Sequence, residues 1–164
     1  MLPKVIMHNS VSLDGSFINF EVNMGLHYQI AGKYKPDIHL IGSNTIKMGF
    51  EIYDEKIPLE EKSDFSIPNR DKNLPYWVII DTKSSLQGLL HTLRRFEFCK
   101  DVIVLISEKT KQDYIQYLQE RNYHYYLVGK DQVDFKKAFQ FLSTDYKAKT
   151  IRCVEKRLFL EVVS

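Results

Sequence analysis

The sequence is poor in cysteine, tryptophan, proline and glycine: two, one, five and seven of them in 164 residues. Two cysteines, Cys99 and Cys153, make neither a disulfide framework nor a Cys-x-x-Cys metal site. No apolar run approaches the ~18 residues needed to cross a bilayer. The opening MLPKVIMHNSVSLDG turns polar too early for the apolar core of a secretion signal. Excess charge is missing too. Twenty-three basic against 21 acidic side chains leave +2, which excludes a general basic field for gripping nucleic acid. There is no Gly-x-Ser-x-Gly elbow, and neither cysteine stands near a convincing base, so nucleophilic catalysis is not expected. The five histidines show no metal-ligand spacing and are expected not to assemble; His8 and His39 fall in or beside strands and read as structural. What is present is ordinary for a folded protein, with 44% apolar and 13% aromatic residues. The expectation is one soluble, cytoplasmic domain over residues 1–164, with no nucleic-acid or membrane partner.

Short β-branched apolar runs recur at 5–7, 38–41, 77–80, 102–106, 125–128 and 150–151. They are nearly continuous rather than alternating, which suits strands buried on both faces of a parallel sheet. Helical spacing lies between them, over 22–33, 86–96, 110–121 and 134–143, with Asp134 placed to cap the last. A helix also follows Ile41-Gly42, with Ser43 or Asn44 as its cap. Gly88 is a weak point in the 86–96 segment. Strands alternating with helices of about ten residues define an α/β fold. The run 51–75 breaks the alternation with three prolines and many charges, and reads as a surface loop or flap.

In α/β sheets ligands bind beyond the carboxyl ends of the strands, so the strand exits are where chemistry is sought. The first exit carries Ser12, Asp14 and Gly15, and reads either as a binding loop or as a plain Asp-Gly turn. The second, Gly42-Ser43-Asn44-Thr45, opens a helix whose free N–H groups favour a phosphate, although helix capping explains Ser43 and Asn44 as well. The third, Asp81-Thr82-Lys83-Ser84, offers a hydroxyl and a cation for an extra phosphate, or is a solvated turn. The fourth is Val128-Gly129, whose glycine either brings main chain against a ligand or ends the strand.

Taken in order, these segments resemble the RibD C-terminal family of reductases. The matching pieces are Val-Ser-Leu-Asp-Gly (11–15), Ile-Gly-Ser-Asn-Thr (41–45), Val-Ile-Ile-Asp-Thr (78–82), Val-Ile-Val-Leu-Ile-Ser (102–107), and Val128-Gly129 followed by Val133-Asp134. The resemblance covers residues 3 to 152. It implies a dihydrofolate-reductase-like three-layer fold with a mostly parallel central sheet. It also implies an NADPH-dependent reductase that passes hydride to a ribosylamino-pyrimidine or pterin-like substrate, as in riboflavin biosynthesis. Carried over by position, Gly42, Ser43 and Thr45 would cradle the cofactor, Thr82 and Lys83 would meet its adenosine end, and Val128 and Gly129 would line its cleft. Ser12 and Asp14 would face the substrate. A homodimer formed through the sheet is expected; no general acid is assigned.

The chain departs from the family at two places. Where the family carries a glycine pair that approaches the cofactor pyrophosphate, followed by further strands, residues 152–164 read Arg-Cys-Val-Glu-Lys-Arg-Leu-Phe-Leu-Glu-Val-Val-Ser. A truncated or altered C-terminus lacking the final strands is the expectation. Ser43-Asn44 also replaces a position where the family often has arginine. Two alternatives therefore stay open: a nucleotide-binding remnant without catalysis, and an assembly partner whose sheet edge pairs with another chain.

Overall fold

The computed structural model describes residues 1–16, 19–52 and 56–154. Much of the atypical tail, from residue 155 onward, lies outside the described residues. Six strands form one parallel sheet: β1 (Lys4–Met7), β2 (Ile38–Gly42), β3 (Tyr76–Ile80), β4 (Val102–Ile106), β5 (His124–Leu127) and β6 (Thr150–Cys153). Their spatial order is β1-β6-β2-β3-β4-β5. The last strand is thus inserted between the first and second, with Arg152 beside Ile6 on one side and His39 on the other. Strands β2, β3 and β4 are apolar on both faces because helices cover both.

Among the described residues five helices accompany them: α1 (Met24–Lys33), α2 (Ser43–Ile52), α3 (Leu90–Arg94), α4 (Gln112–Glu120) and α5 (Phe135–Asp145). One face of the sheet, through Ile41, Trp77, Ile79, Val102, Val104 and Ile106, packs on Ile46 of α2, Leu90 and Leu93 of α3, and Tyr114, Tyr117 and Leu118 of α4. The opposite face, through Ile38, Leu40, Val78, Ile103, Leu105 and Ile151, packs on Phe135, Ala138 and Leu142 of α5. These two layers bury the alternate side chains of β2, β3 and β4 in separate cores on opposite faces of the sheet.

The helix ends follow local chemistry. Asn23 caps α1 by accepting from Leu26 N at 2.9 Å, and Asp134 caps α5 by accepting from Lys137 N at 3.1 Å. The helix expected over 86–96 is only five residues long. Gly88 sits at φ +78°, and the chain makes turns until Leu90.

The stretch expected as a surface loop or flap is mostly irregular and exposed over its described part, residues 56–75, and it is strapped down. It contains a 3₁₀ turn, Lys62–Phe65, whose Asp64 carboxylate pairs with Arg95. Glu60 pairs with Arg121 at 2.7 Å, and His91 Nε2 meets the Pro58 carbonyl at 2.7 Å. At the centre is Arg94, 3% exposed. It donates to Asp101 at 2.8 Å and to the carbonyls of Asp64, Arg121 and Asn122 at 2.8, 2.8 and 3.1 Å, with its guanidinium 3.7 Å from the Tyr123 ring centre. Asp101 and Tyr123 immediately precede β4 and β5, so the strap closes the amino ends of the strands.

Candidate functional site

The opposite end of the sheet is open. A cleft of about 910 Å³ lies over the carboxyl ends of β2, β3 and β4, bordered by Gly42, Ser43, Asn44, Thr45 and Met48 from β2–α2 and by Ile80, Thr82 and Lys83 from the β3 exit. Lys109 and Lys111 from the β4 exit, and Asp131, Gln132 and Phe135 from the β5–α5 connection, complete the wall. This volume is within the usual range for small-molecule sites.

Each wall has a local cause. Strand β2 runs into α2 without a linker, so Ser43 and Asn44 are the first residues of that helix rather than side-chain caps. Its unsatisfied N–H groups and positive dipole end therefore face the cleft. Asp81, fully buried, accepts from Ser85 N at 2.8 Å and Leu86 N at 2.9 Å. That pair folds the β3 exit back and holds Ser84 at φ +59°. Thr110 Oγ1 donates to the Thr82 carbonyl at 3.2 Å and accepts from Ser107 N at 3.1 Å, tying the β3 and β4 exits together. Lys109 pairs with Asp131 at 2.6 Å across two walls, and both side chains are mostly exposed. Three lysines, a helix N-terminus and hydroxyls suit an elongated anionic ligand such as a nucleotide.

Among the residues expected from sequence, Gly42, Ser43, Thr45, Thr82 and Lys83 meet in this one cleft. Val128 and Gly129 do not line it. Val128 is buried in the core against α5, and Gly129 makes the turn that returns the chain to Asp134, whose N–H donates to the Val128 carbonyl at 2.6 Å. Their contribution is indirect: the turn delivers Asp131, Gln132 and Phe135 to the wall. Ser12 and Asp14 are also elsewhere, after β1, which β6 separates from β2. Their polar atoms serve the turn itself. Ser12 Oγ donates to Asp14, Ser16 N donates to Ser12 Oγ at 3.0 Å, and Gly15 takes φ +79°. The Ser12 hydroxyl and the Ser16 N–H hold the Asp14 carboxyl below the usual range.

Sequence reasoning missed Lys109 and Lys111. The exit of β4, Ser107-Glu-Lys-Thr-Lys111, carries the same signal as the exits of β2 and β3: polar and basic residues just after a buried strand.

The expectation that the histidines would not assemble is overturned. Three of them surround Arg152, which is 2% exposed in β6. Its Nε donates to His8 Nδ1 at 2.9 Å, Nη1 to His39 Nδ1 at 3.2 Å, and Nη2 to His27 Nε2. His8 and His27 stack with ring centres 4.5 Å apart, and Ser10 Oγ lies 2.8 Å from His27 Nδ1. Burial first, and the Arg152 charge second, hold His27 and His39 down at about 4 and lower His8. Burial likewise lowers Arg152. Sequence spacing cannot show this cluster, because insertion of β6 between β1 and β2 is what joins residues 8, 27, 39 and 152.

No protein-family model matches the sequence, and no curated protein matches it. Solved structures do. A pyrimidine reductase-like protein of Corynebacterium diphtheriae superposes with TM-score 0.61 at 14% identity, covering 98% of this chain and 70% of that one. The riboflavin biosynthesis reductase Rib7 of Saccharomyces cerevisiae gives 0.53 at 19%, covering 93% and 62%. RibD of Acinetobacter baumannii gives 0.56 at 18%, covering 98% and 43%. The chain therefore has the α/β, dihydrofolate-reductase-like fold of these reductases, and it is shorter than the chains compared. No helix among the described residues is long and apolar enough to cross a membrane.

Proposed function

We propose that the protein is an NADPH-dependent reductase acting on a ribosylamino-pyrimidine or a related heterocyclic substrate. The observation that carries this reading is the meeting of Ser43–Thr45, Thr82–Lys83 and Lys109–Lys111 around one cleft at the carboxyl ends of the parallel strands. The donor set fits a phosphorylated dinucleotide. The α2 N-terminus suits a phosphate, with Ser43 and Thr45 supplying hydroxyls, while Thr82 with Lys83, Lys109 and Lys111 suits the adenosine-side phosphate. When bound, NADPH supplies the hydride; the protein's part is to hold and orient.

In this reading Phe135 and Met48 give an apolar surface for a flat ring, and Ile80 at the β3 terminus forms part of the same floor. Asp131 limits how much negative charge the cleft accepts and holds Lys109 in place. The turn Ser12–Ser16, at the carboxyl end of β1, is assigned to the substrate. Strand β1, which leads into it, lies roughly 10 Å from β2 across β6 at the usual strand spacing, and Asp14 is ionised and exposed in the turn.

The test is direct. The full chain is titrated with NADPH, and then assayed for loss of NADPH absorbance with 5-amino-6-(5-phosphoribosylamino)uracil. Saturable binding and substrate-dependent oxidation are expected. Removing the Lys83 charge by Lys83→Ala should weaken NADPH on the order of tenfold, and NADH much less, since one charge-assisted contact is worth about 1.5–3 kcal/mol. Equal loss for both cofactors would place Lys83 away from the distinguishing phosphate. Binding without turnover would favour a nucleotide-binding remnant.

A further inference from the structure

Arg152 settles the proton positions of its neighbours. A guanidinium has donors and no acceptor, so each imidazole nitrogen facing it must be unprotonated. His8 and His39 then carry their proton on Nε2. His27, which accepts through Nε2, carries its proton on Nδ1 and donates it to Ser10 Oγ. This excludes Ser10–His27 as a nucleophile–base pair, because the nitrogen facing the hydroxyl already holds a proton.

The same constraint leaves the cluster rich in spare donors. The guanidinium has five N–H groups, and the three imidazoles take three, leaving two. His8 Nε2–H and His39 Nε2–H have no acceptor among the described residues, and the Ser10 hydroxyl, whose oxygen accepts from His27, keeps its proton to give. No carboxylate among the described residues pairs with Arg152. A buried cation ordinarily carries a paired anion, because an isolated charge is poorly solvated in a weakly polarisable interior. His8, His39 and Ser10 are each partly open to solvent, so the donors can be reached from outside. They lie near the carboxyl end of β1 and β6, apart from the lysine-lined cleft.

We infer that the Arg152–His8–His27–His39–Ser10 cluster is a binding site for a small oxyanion, a phosphate or a carboxylate group, which supplies the negative charge and acceptors that the cluster lacks. The inference stands apart from the reductase reading.

The test uses the full chain labelled with ¹⁵N, with histidine ring signals read during titration with inorganic phosphate, with acetate, and with chloride at matched ionic strength. The expected result has His8 and His39 as Nε2–H tautomers and His27 as Nδ1–H before addition. Phosphate or acetate should then move the His8 signal saturably, while chloride moves it less than a third as far. Saturation by both oxyanions defines a general oxyanion site, and by phosphate alone a phosphate site. Arg152→Gln should weaken binding at least tenfold. Should that variant fail to fold, His8→Phe, which keeps a ring stacked on His27, should weaken it at least threefold as read from the His27 signal. The proposal is overturned by equal shifts with chloride, by unchanged affinity in His8→Phe, or by the opposite tautomers. Lys83→Ala should leave the His8 affinity as it was; a parallel loss would mean that the signal reports the lysine cleft and would also overturn it. Ser43 and Thr82 amides are followed in the same samples with NADPH, so failure of the reductase reading shows separately.

Discussion

The carbonyl oxygen of Gln132 stands 1.8 Å from the point a β-carbon on Gly129 would occupy. No side chain fits there, and the obstacle is backbone. Gly129→Ala must open the turn that sends Asp131, Gln132 and Phe135 to the cleft wall. The expected outcome is a protein destabilised by about 1–3 kcal/mol, with NADPH binding weakened more than the lost stability explains. Urea unfolding and a cofactor titration on the same variant check this.

Arg94 and Asp101 make a buried ion pair inside a ring of carbonyls. Removing one partner leaves an uncompensated charge, so Arg94→Met should cost about 3–5 kcal/mol. Arg94→Lys should recover little of this, since an ammonium cannot reach Asp101 and three carbonyls as a planar fork does. Chemical denaturation decides it. Wild-type stability in either variant would mean that the strap over residues 56–75 is held mainly by Arg95 and Arg121.

Stability should fall on acidification through the Arg152 cluster. His27 and His39 sit at about 4 in the folded protein against an ordinary 6.5, so the unfolded chain binds more protons between those values. Their contribution is complete above about pH 6.5 and is lost as the pH falls towards 4. His39→Gln, which keeps an acceptor towards Arg152 but does not titrate, should flatten the curve of melting temperature against pH across that window. An unchanged slope would contradict the assignment.

Asp131 is the acidic side chain on the cleft wall, and it binds Lys109. Replacing it by asparagine removes a repulsion and frees a cation. Exposed pairs of this kind are worth about 0.2–1 kcal/mol, so Asp131→Asn should tighten NADPH binding roughly two- to fivefold, most visibly at low salt. Weaker binding in that variant would show that Asp131 contacts the ligand as an acceptor.

Much of the architecture was legible in the sequence because the strands are doubly buried. Runs such as Val102–Ile106 have nowhere else to go, and Asp134 caps its helix as its position suggested. Part of the cleft was legible for a related reason: a polar or basic residue soon after such a run, as at Ser43 or Lys83, lands on the open sheet end. Legibility stopped where function depends on long-range order. Nothing local says that β6 inserts between β1 and β2, so the Arg152 cluster was invisible. Nothing local says that 56–75 folds onto the amino ends of β4 and β5. Gly129 signals a close approach of main chain, and the group that its missing side chain admits is the Gln132 backbone.

If the exits of β2, β3 and β4 hold one dinucleotide together, amide chemical shifts during an NADPH titration report it. Signals from Ser43–Thr45, Thr82–Lys83 and Lys109–Lys111 are expected to move together, with a single dissociation constant that rises with salt. Movement of one segment alone, different constants for the three, or no saturation would contradict it.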